Sequence, residues 1–311
     1  MENFLSNFLT VGEQVLVLFL LILVGFLCNK AKLLTKEANK RISDLVVIVV
    51  TPCVIIKSFL REFNPEMLKM LLLALLIAAL SHVVMFLFSY LFIRDKEEQK
   101  KRVLRFASIF SNAGFIALPL QEALLGEIGV FFGAAYVVMF NIFAWSWGLC
   151  LISGDKSKIT VKKILFSPGI IGVVIGMILF VASVQLPDVI KTTLTHISNL
   201  NTPLPMIVVG YYLAESNLLE ALKDKGCYLC MGMRLIFFPL LALGILYLCG
   251  VRDAIFVSMV VAISAPVGAM TTMFSEKFGG NTILSVQLVS LSTLFSMVTM
   301  PVIVALAQMI A

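Results

Sequence analysis

Two stretches place polar and conformationally unusual residues inside otherwise apolar sequence. Residues 108–127 read SIFSNAGFIALPLQEALLGE, with Ser111, Asn112, Gly114 and Pro119. Residues 261–280 read VAISAPVGAMTTMFSEKFGG, with Ser264, Pro266, Gly268, Thr271 and Thr272. Proline removes a backbone donor and clashes with the preceding turn, and glycine tolerates unusual dihedrals, so each stretch reads as a helix opened partway along. At membrane depth an opened helix is tolerated only where it is buried in protein or faces a wet cavity. Its broken ends expose N–H groups and the positive end of a half-helix dipole, which suits a carboxylate. The side chains fit that chemistry. Asn112 offers amide donors to an anion, and Ser111, Ser264, Thr271 and Thr272 offer hydroxyls. The plainer alternatives are an Asn that caps its own half-helix, hydroxyls bonded to their own backbone and an ordinary proline kink.

Other chemically active residues are scattered. Arg234 is the one basic residue well inside an apolar run, either balancing an anion, holding carbonyls freed by the opened helices, or snorkelling to the surface. Glu122 and Glu276 end the two interrupted stretches, as gates, proton sites or solvated helix ends. His82 and His196 are isolated, as proton carriers or hydrogen-bonded structural residues. Asn141, Gln287, Ser290 and Ser296 either line a transport path or pack helices. Six cysteines lie in or beside apolar runs; Cys227 and Cys230 form a CxxC with no second pair or neighbouring His to complete a metal or redox site. No metal site or cofactor is expected. HExxH, GxSxG and GxxxxGK[ST] are absent, which argues against an enzyme and against nucleotide-driven pumping. No Asp or Glu lies at the centre of an apolar run, which ranks a cation-coupled carrier below a carrier of anions.

The elements that must position these residues are membrane spans. Of 311 residues, 60% are hydrophobic and 14% charged, and the mean hydropathy is +1.03. Soluble domains are about 45–50% apolar and about 25% charged. Ten apolar runs follow one another: Val11–Cys28, Ile42–Leu60, Met67–Ile93, Val103–Leu124, Ile128–Ile152, Ile164–Val184, Ile190–Ala214, Cys227–Cys249, Ala254–Phe274 and Thr282–Ile310. The interrupted stretches are spans 4 and 9. Of the 24 basic residues, 18 fall in the loops after odd-numbered spans and 5 on the opposite side, Arg234 being the remaining one. The positive-inside rule then places both termini outside a multi-pass cell membrane protein. That distribution also turns the net charge of +6 away from nucleic acid and toward topology. The start, MENFLSNFLTVGEQ, lacks a basic region and reads as a first span, not a cleaved signal.

The chain reads as a duplication. A shift of 154 residues lays Gly114 on Gly268, Glu122 on Glu276, Gly126 on Gly280 and Asn112 on Pro266; a shift of 155 lays Ile42-Ser43-Asp44-Leu45 on Ile197-Ser198-Asn199-Leu200. Residues 1–153 and 164–311 form two five-span halves around a linker at 154–163. Five is odd, so the second half enters from the opposite side, giving the inverted repeat common among secondary transporters.

The stretches SNAGFIALPL and APVGAMTTMFSEKFGGN resemble the auxin efflux carrier family, which includes plant auxin carriers and bacterial malonate and malate carriers. The resemblance covers the whole chain, including Pro52 in span 2, the run from Arg234 to Pro239, and Pro301. It implies an all-α fold in which spans 1, 2, 6 and 7 form a scaffold that dimerises through spans 2 and 7. Spans 3–5 and 8–10 would form a transport unit, with spans 4 and 9 crossing at the substrate and moving by an elevator mechanism. Asn112 falls on the family's span 4 Asn and Pro266 on its crossover Pro, so the implied site is Asn112, Ser111, Gly114, Pro266, Gly268, Thr271 and Arg234, with Pro119 at the crossover. Ser111 stands where the plant carriers usually have Pro, and their long central loop is here about a dozen residues, so auxin itself fits poorly. The expected activity is transport of a small organic anion. The alternatives are a membrane receptor for a similar ligand or a carrier coupled to sodium or protons.

Overall fold

A computed structural model describes residues 2–155, 157, 162, 165–216 and 218–311. Most of the expected linker at 154–163 and the start of the sixth apolar run lie outside the described residues. The described chain is helical throughout, with no strand among its residues. That is what lipid demands, since a spanning segment must satisfy its backbone polar groups internally.

The helices are α1 (Glu2–Lys30), α2 (residues 36–58), α3 (Pro65–Phe92), α4a (Glu98–Ile109), α4b (Ala113–Leu125), α5 (Glu127–Ser153), α6 (Pro168–Val181), α7 (residues 188–215 around a tight turn at Asn199–Asn201), α8 (Lys225–Leu248), α9a (Asp253–Ser264), α9b (Met270–Phe278) and α10 (Thr282–Ile310). Among the described residues, α1, α3, α5, α8 and α10 are long and apolar enough to cross a bilayer, and α4b, α6 and α9a are shorter apolar helices. The protein is therefore a polytopic helical membrane protein. Leucines at positions 16, 20, 23 and 27 of α1 and 72, 76, 80 and 87 of α3 are exposed, a surface only hydrocarbon accommodates.

Local chemistry sets where these helices bend and stop. Of four wide π-type turns among the described residues, those at Val46–Val50, Ala113–Ala117 and Met233–Phe237 each end two residues before a proline, Pro52, Pro119 or Pro239, and the fourth, Ala144–Gly148, precedes none. The wider turn relieves the clash between the proline ring and the preceding carbonyl. Asn64 and Asn281 cap α3 and α10 through their side chains. In the loop before α4a, the Glu97 N–H donates to Asp95 at 2.9 Å. That bond, with Lys100 nearby, holds the Asp95 carboxyl below the usual carboxylate range. Lys100 also pairs at 2.6 Å with Asp224, the N-cap of α8.

Packing falls into two neighbourhoods. α1 runs along the second part of α7 and also meets α10, while α2 packs on α6 and the first part of α7. The α1–α7 contact is backbone on backbone: a Cβ on Gly25 would stand 2.3 Å from the Ile207 carbonyl oxygen. In the other neighbourhood α5 lies against α3, α4b and α9a, and α9a against α8 and α10. The fourth and ninth apolar runs are both divided, and their gaps meet inside this second group.

Candidate functional site

The gaps at residues 110–112 and 265–269 are joined by a short antiparallel bridge between Ser111 and Val267. The Asn112 N–H donates to the Pro266 carbonyl at 2.7 Å, and the Gly268 N–H donates to the Phe110 carbonyl at 2.9 Å. Each opened segment thus supplies the partner the other lacks, as buried backbone requires. The Val267 N–H donates to Ser292 Oγ of α10 at 3.0 Å, tying the bridge to a continuous helix. The approach is close enough that a Cβ on Gly268 would stand 2.8 Å from the Ser111 carbonyl oxygen.

Four half-helix ends meet here, and they carry opposite partial charges. α4a and α9a arrive with their C-terminal carbonyls. Arg234, wholly buried on the wide turn of α8, is placed against both. Its Nη1 donates to the Ser108 and Ile109 carbonyls at 3.3 and 3.0 Å and touches Met85 Sδ at 3.3 Å. Its Nη2 donates to the Ile263 carbonyl of α9a. Each helix C-terminus carries roughly half a negative charge, so two of them together offset about one guanidinium. This accounts for a buried arginine that, among the described residues, pairs with no carboxylate. The guanidinium does not reach the surface.

α4b and α9b leave with their N-termini. Asn112 precedes α4b, and its carbonyl accepts from Ile116 and Ala117, both at 3.1 Å. The N–H groups of Ala113, Gly114 and Phe115 precede the first intrahelical bond and have no acceptor within the helix. Asn112 is 4% exposed and its Nδ2 has no partner; Thr271 Oγ1, on the first turn of α9b, is fully buried and also without one. Gly114 is the one partly exposed residue between 111 and 120, and a Cβ there would meet nothing within 4 Å. Ala269 and Met270 at the start of α9b are likewise partly exposed after a fully buried run. Space therefore opens at the two positive helix ends, beside two buried donors without acceptors.

The other sequence candidates separate by place. Pro266 is buried within its interruption, whereas Pro119 is buried inside α4b, past the gap and just after the wide turn, so it does not take part in the crossing itself. Ser264 Oγ bonds to Val260 and Ser296 Oγ to Thr293, both within their own helices, and Asn141 Nδ2 bonds to Val137 of α5. His82 lies in an aromatic box with Phe110, Tyr136, Phe140 and Phe143, stacked on Phe143 at 5.1 Å, with Nδ1 2.7 Å from the Ala78 carbonyl. Glu122 and Glu276 lie away from the crossover: Glu122 is 3.8 Å from Lys57 near the end of α2, and Glu276 is 3.6 Å from Lys36 at its start. His196 is exposed on α7.

Sequence reasoning missed three residues. Tyr136 of α5 is wholly buried, with its hydroxyl toward Ser111 and Arg234. Ser292 holds the bridge. Gln121 of α4b donates to the Ser258 carbonyl of α9a at 2.8 Å, and Ser258 Oγ donates to the Gly129 carbonyl of α5 at 2.9 Å. A Tyr or Ser in a membrane helix is unremarkable by type; only the fold shows that these face a break.

Comparisons with known proteins place the chain among transporters. An uncharacterized transporter of Methanothermobacter thermautotrophicus is 26% identical over 297 residues, covering 93% of this chain and 96% of the relative. Residues 10–304 match the sequence model of the family described as membrane transport protein, and the chain belongs to this family, the one whose auxin efflux carriers its two interrupted helices resemble.

Proposed function

We propose that the protein is a secondary carrier of small organic anions, monocarboxylates or dicarboxylates, that works by elevator-type alternating access. The observation that carries this reading is the pair of half-helix N-termini opening from one crossover, with the unpartnered Asn112 amide and Thr271 hydroxyl beside them. Positive helix ends and neutral donors bind a carboxylate without fixing a mobile cation in its place. Arg234 acts as a positioning residue, because both of its Nη groups are engaged by the opposite, C-terminal helix ends.

In this reading the chain makes ten spans in two inverted halves, residues 1–153 and 164–311, in the cell membrane with both termini outside. α1, α2, α6 and α7 are the static scaffold, paired as a homodimer through α2 and α7, and α3–α5 with α8–α10 carry the solute. The test is uptake of labelled malonate, malate, lactate and indole-3-acetate into proteoliposomes. Saturable uptake of at least one carboxylate, lost in Asn112→Ala, is expected. Uptake unchanged when Asn112→Ala and Pro266→Ala are combined would refute the site. Sodium coupling is the competing reading, and a thermal shift with sodium but with none of the carboxylates would favour it.

A further inference from the structure

We propose that a groove on the lipid-facing side of α3 and α8 is a phospholipid site, holding one acyl chain with its phosphate at Arg252. The groove has a volume of about 350 Å³ and is walled by Leu76 and Leu80 of α3 and Ala242 and Ile245 of α8. The same helices present exposed leucines on either side, Leu72 and Leu87 on α3 and Leu240 and Leu248 on α8, so hydrocarbon surrounds the opening. Water is a poor occupant. The polar side chain in the lining is Ser81, and its hydroxyl already donates to Ile77 of its own helix at 2.7 Å. A buried water needs two to four polar partners.

Length and charge select the chain and the headgroup. The α3 wall runs from Leu73 to Met85, twelve residues or about 18 Å at 1.5 Å per residue. Half of a hydrocarbon core of about 30 Å is about 15 Å, so the groove matches one leaflet. At its mouth, Cys249, Gly250 and Val251 lead directly into Arg252. That guanidinium is fixed: it lies 4.1 Å over the Tyr247 ring, and Nη1 donates to the Tyr247 and Val251 carbonyls at 2.9 and 2.7 Å. Arg has five N–H donors, so Nε and Nη2 remain for a phosphate, which guanidinium binds in bidentate fashion. An Arg over a Tyr at a helix end is also the composition expected at the membrane–water interface. Lys69 stands one turn before Leu73 on the same helix, with its charge shared with Glu66 at 2.8 Å, and adds a weaker second cation.

The floor of the groove gives this lipid a consequence. Met85 and Ile263 line it, and both are contacts of Arg234. An acyl chain therefore packs against the outer side of the residues that staple the crossover. This site does not depend on which solute the crossover accepts.

The test is native mass spectrometry of the full chain in mild detergent, titrated with dioleoyl phosphatidylglycerol and with dioleoylglycerol, which has the same chains and no phosphate. Wild type is expected to retain one phosphatidylglycerol and to prefer it over dioleoylglycerol by about tenfold, the scale of one charge-assisted hydrogen-bonded contact. Arg252→Gln should lose that preference, and Ala242→Phe, which fills the groove, should lose the retained lipid. Equal retention of the two lipids by wild type, or of phosphatidylglycerol by Ala242→Phe, would overturn the proposal. The wild-type comparison stands even if a variant fails to fold.

Discussion

At the scale of single residues, the crossover separates two kinds of buried polar group. Asn112 and Thr271 are donors without acceptors, and a buried donor left unsatisfied costs about 1–3 kcal/mol, a cost that the proposed anion would relieve. Asn112→Asp keeps the shape but turns a donor into a carboxylate at the anion's position. Its uptake in liposomes should fall by about tenfold or more, the size of one lost hydrogen bond together with charge repulsion; wild-type uptake would remove Asn112 from the site. Arg234 is different: both of its Nη groups donate to helix-end carbonyls and only its buried Nε is left without a partner. Arg234→Met keeps the length but strips the Ser108, Ile109 and Ile263 carbonyls. Leaving these unpaired costs about 1–3 kcal/mol each, so the apparent melting temperature should drop by several degrees. Arg234→Lys should recover part of the loss, because a single ammonium reaches fewer carbonyls in fixed geometry. A Met variant as stable as wild type would mean that the helix ends find other partners. Asn112, Pro266 and Arg234 were legible in the sequence because each type is out of place in an apolar run. Tyr136 and Ser292 were not, because their roles come from a contact between α5 and α8 and from a hydrogen bond across 25 residues.

At the scale of elements, hydropathy located apolar helices, five of them long enough to span a bilayer among the described residues, but misjudged several edges for a physical reason. Residues 36–41 are polar yet helical, starting at the Thr35 cap, and Glu98–Arg102 likewise extend α4a beyond the apolar run. A hydropathy reading ends where polarity begins, but a helix ends where its backbone bonds do. The interruptions were legible as Pro and Gly, whereas their joining by Ser111 and Val267 needed the chain in space. Gly268 is where that junction is tightest. Gly268→Ala puts a methyl 2.8 Å from the Ser111 oxygen, and backbone cannot yield as a side-chain tip can. The variant should fold with lowered stability and lose most of its uptake, while Gly244→Ala, where a Cβ meets nothing within 4 Å, serves as a neutral control for extra bulk. Near-wild-type uptake by Gly268→Ala would mean that the spacing of the bridge is not required for transport.

At the scale of the whole molecule, α2 touches the group around the crossover at both of its ends. Near one end Lys57 pairs with Glu122 and Glu127 at 3.8 and 3.6 Å, beside the buried ring cluster of Phe59, Phe131 and Phe180. At the other end Lys36 pairs with Glu276 at 3.6 Å. The ends are 21 residues apart, roughly 32 Å along a helix at 1.5 Å per residue, about the thickness of a hydrocarbon core. The exposed Lys36–Glu276 pair contributes at most about 1 kcal/mol, so it suits a contact that forms and breaks more than one that holds a fold together; the pairs at Lys57 are partly buried. If α4, α5 and α9 travel as one body past a static α2, all three pairs must separate during each cycle. Cysteines at positions 36 and 276, in a chain whose native accessible cysteines are replaced, should then capture this arrangement when joined by a short bifunctional maleimide. Uptake is expected to stop on cross-linking and to be unaffected by the reagent in either single-cysteine variant. A cross-linked protein that still carries solute at the wild-type rate would show that α9b and α2 stay together throughout. Transport would then have to proceed by local opening at the half-helix ends, without movement of the whole unit.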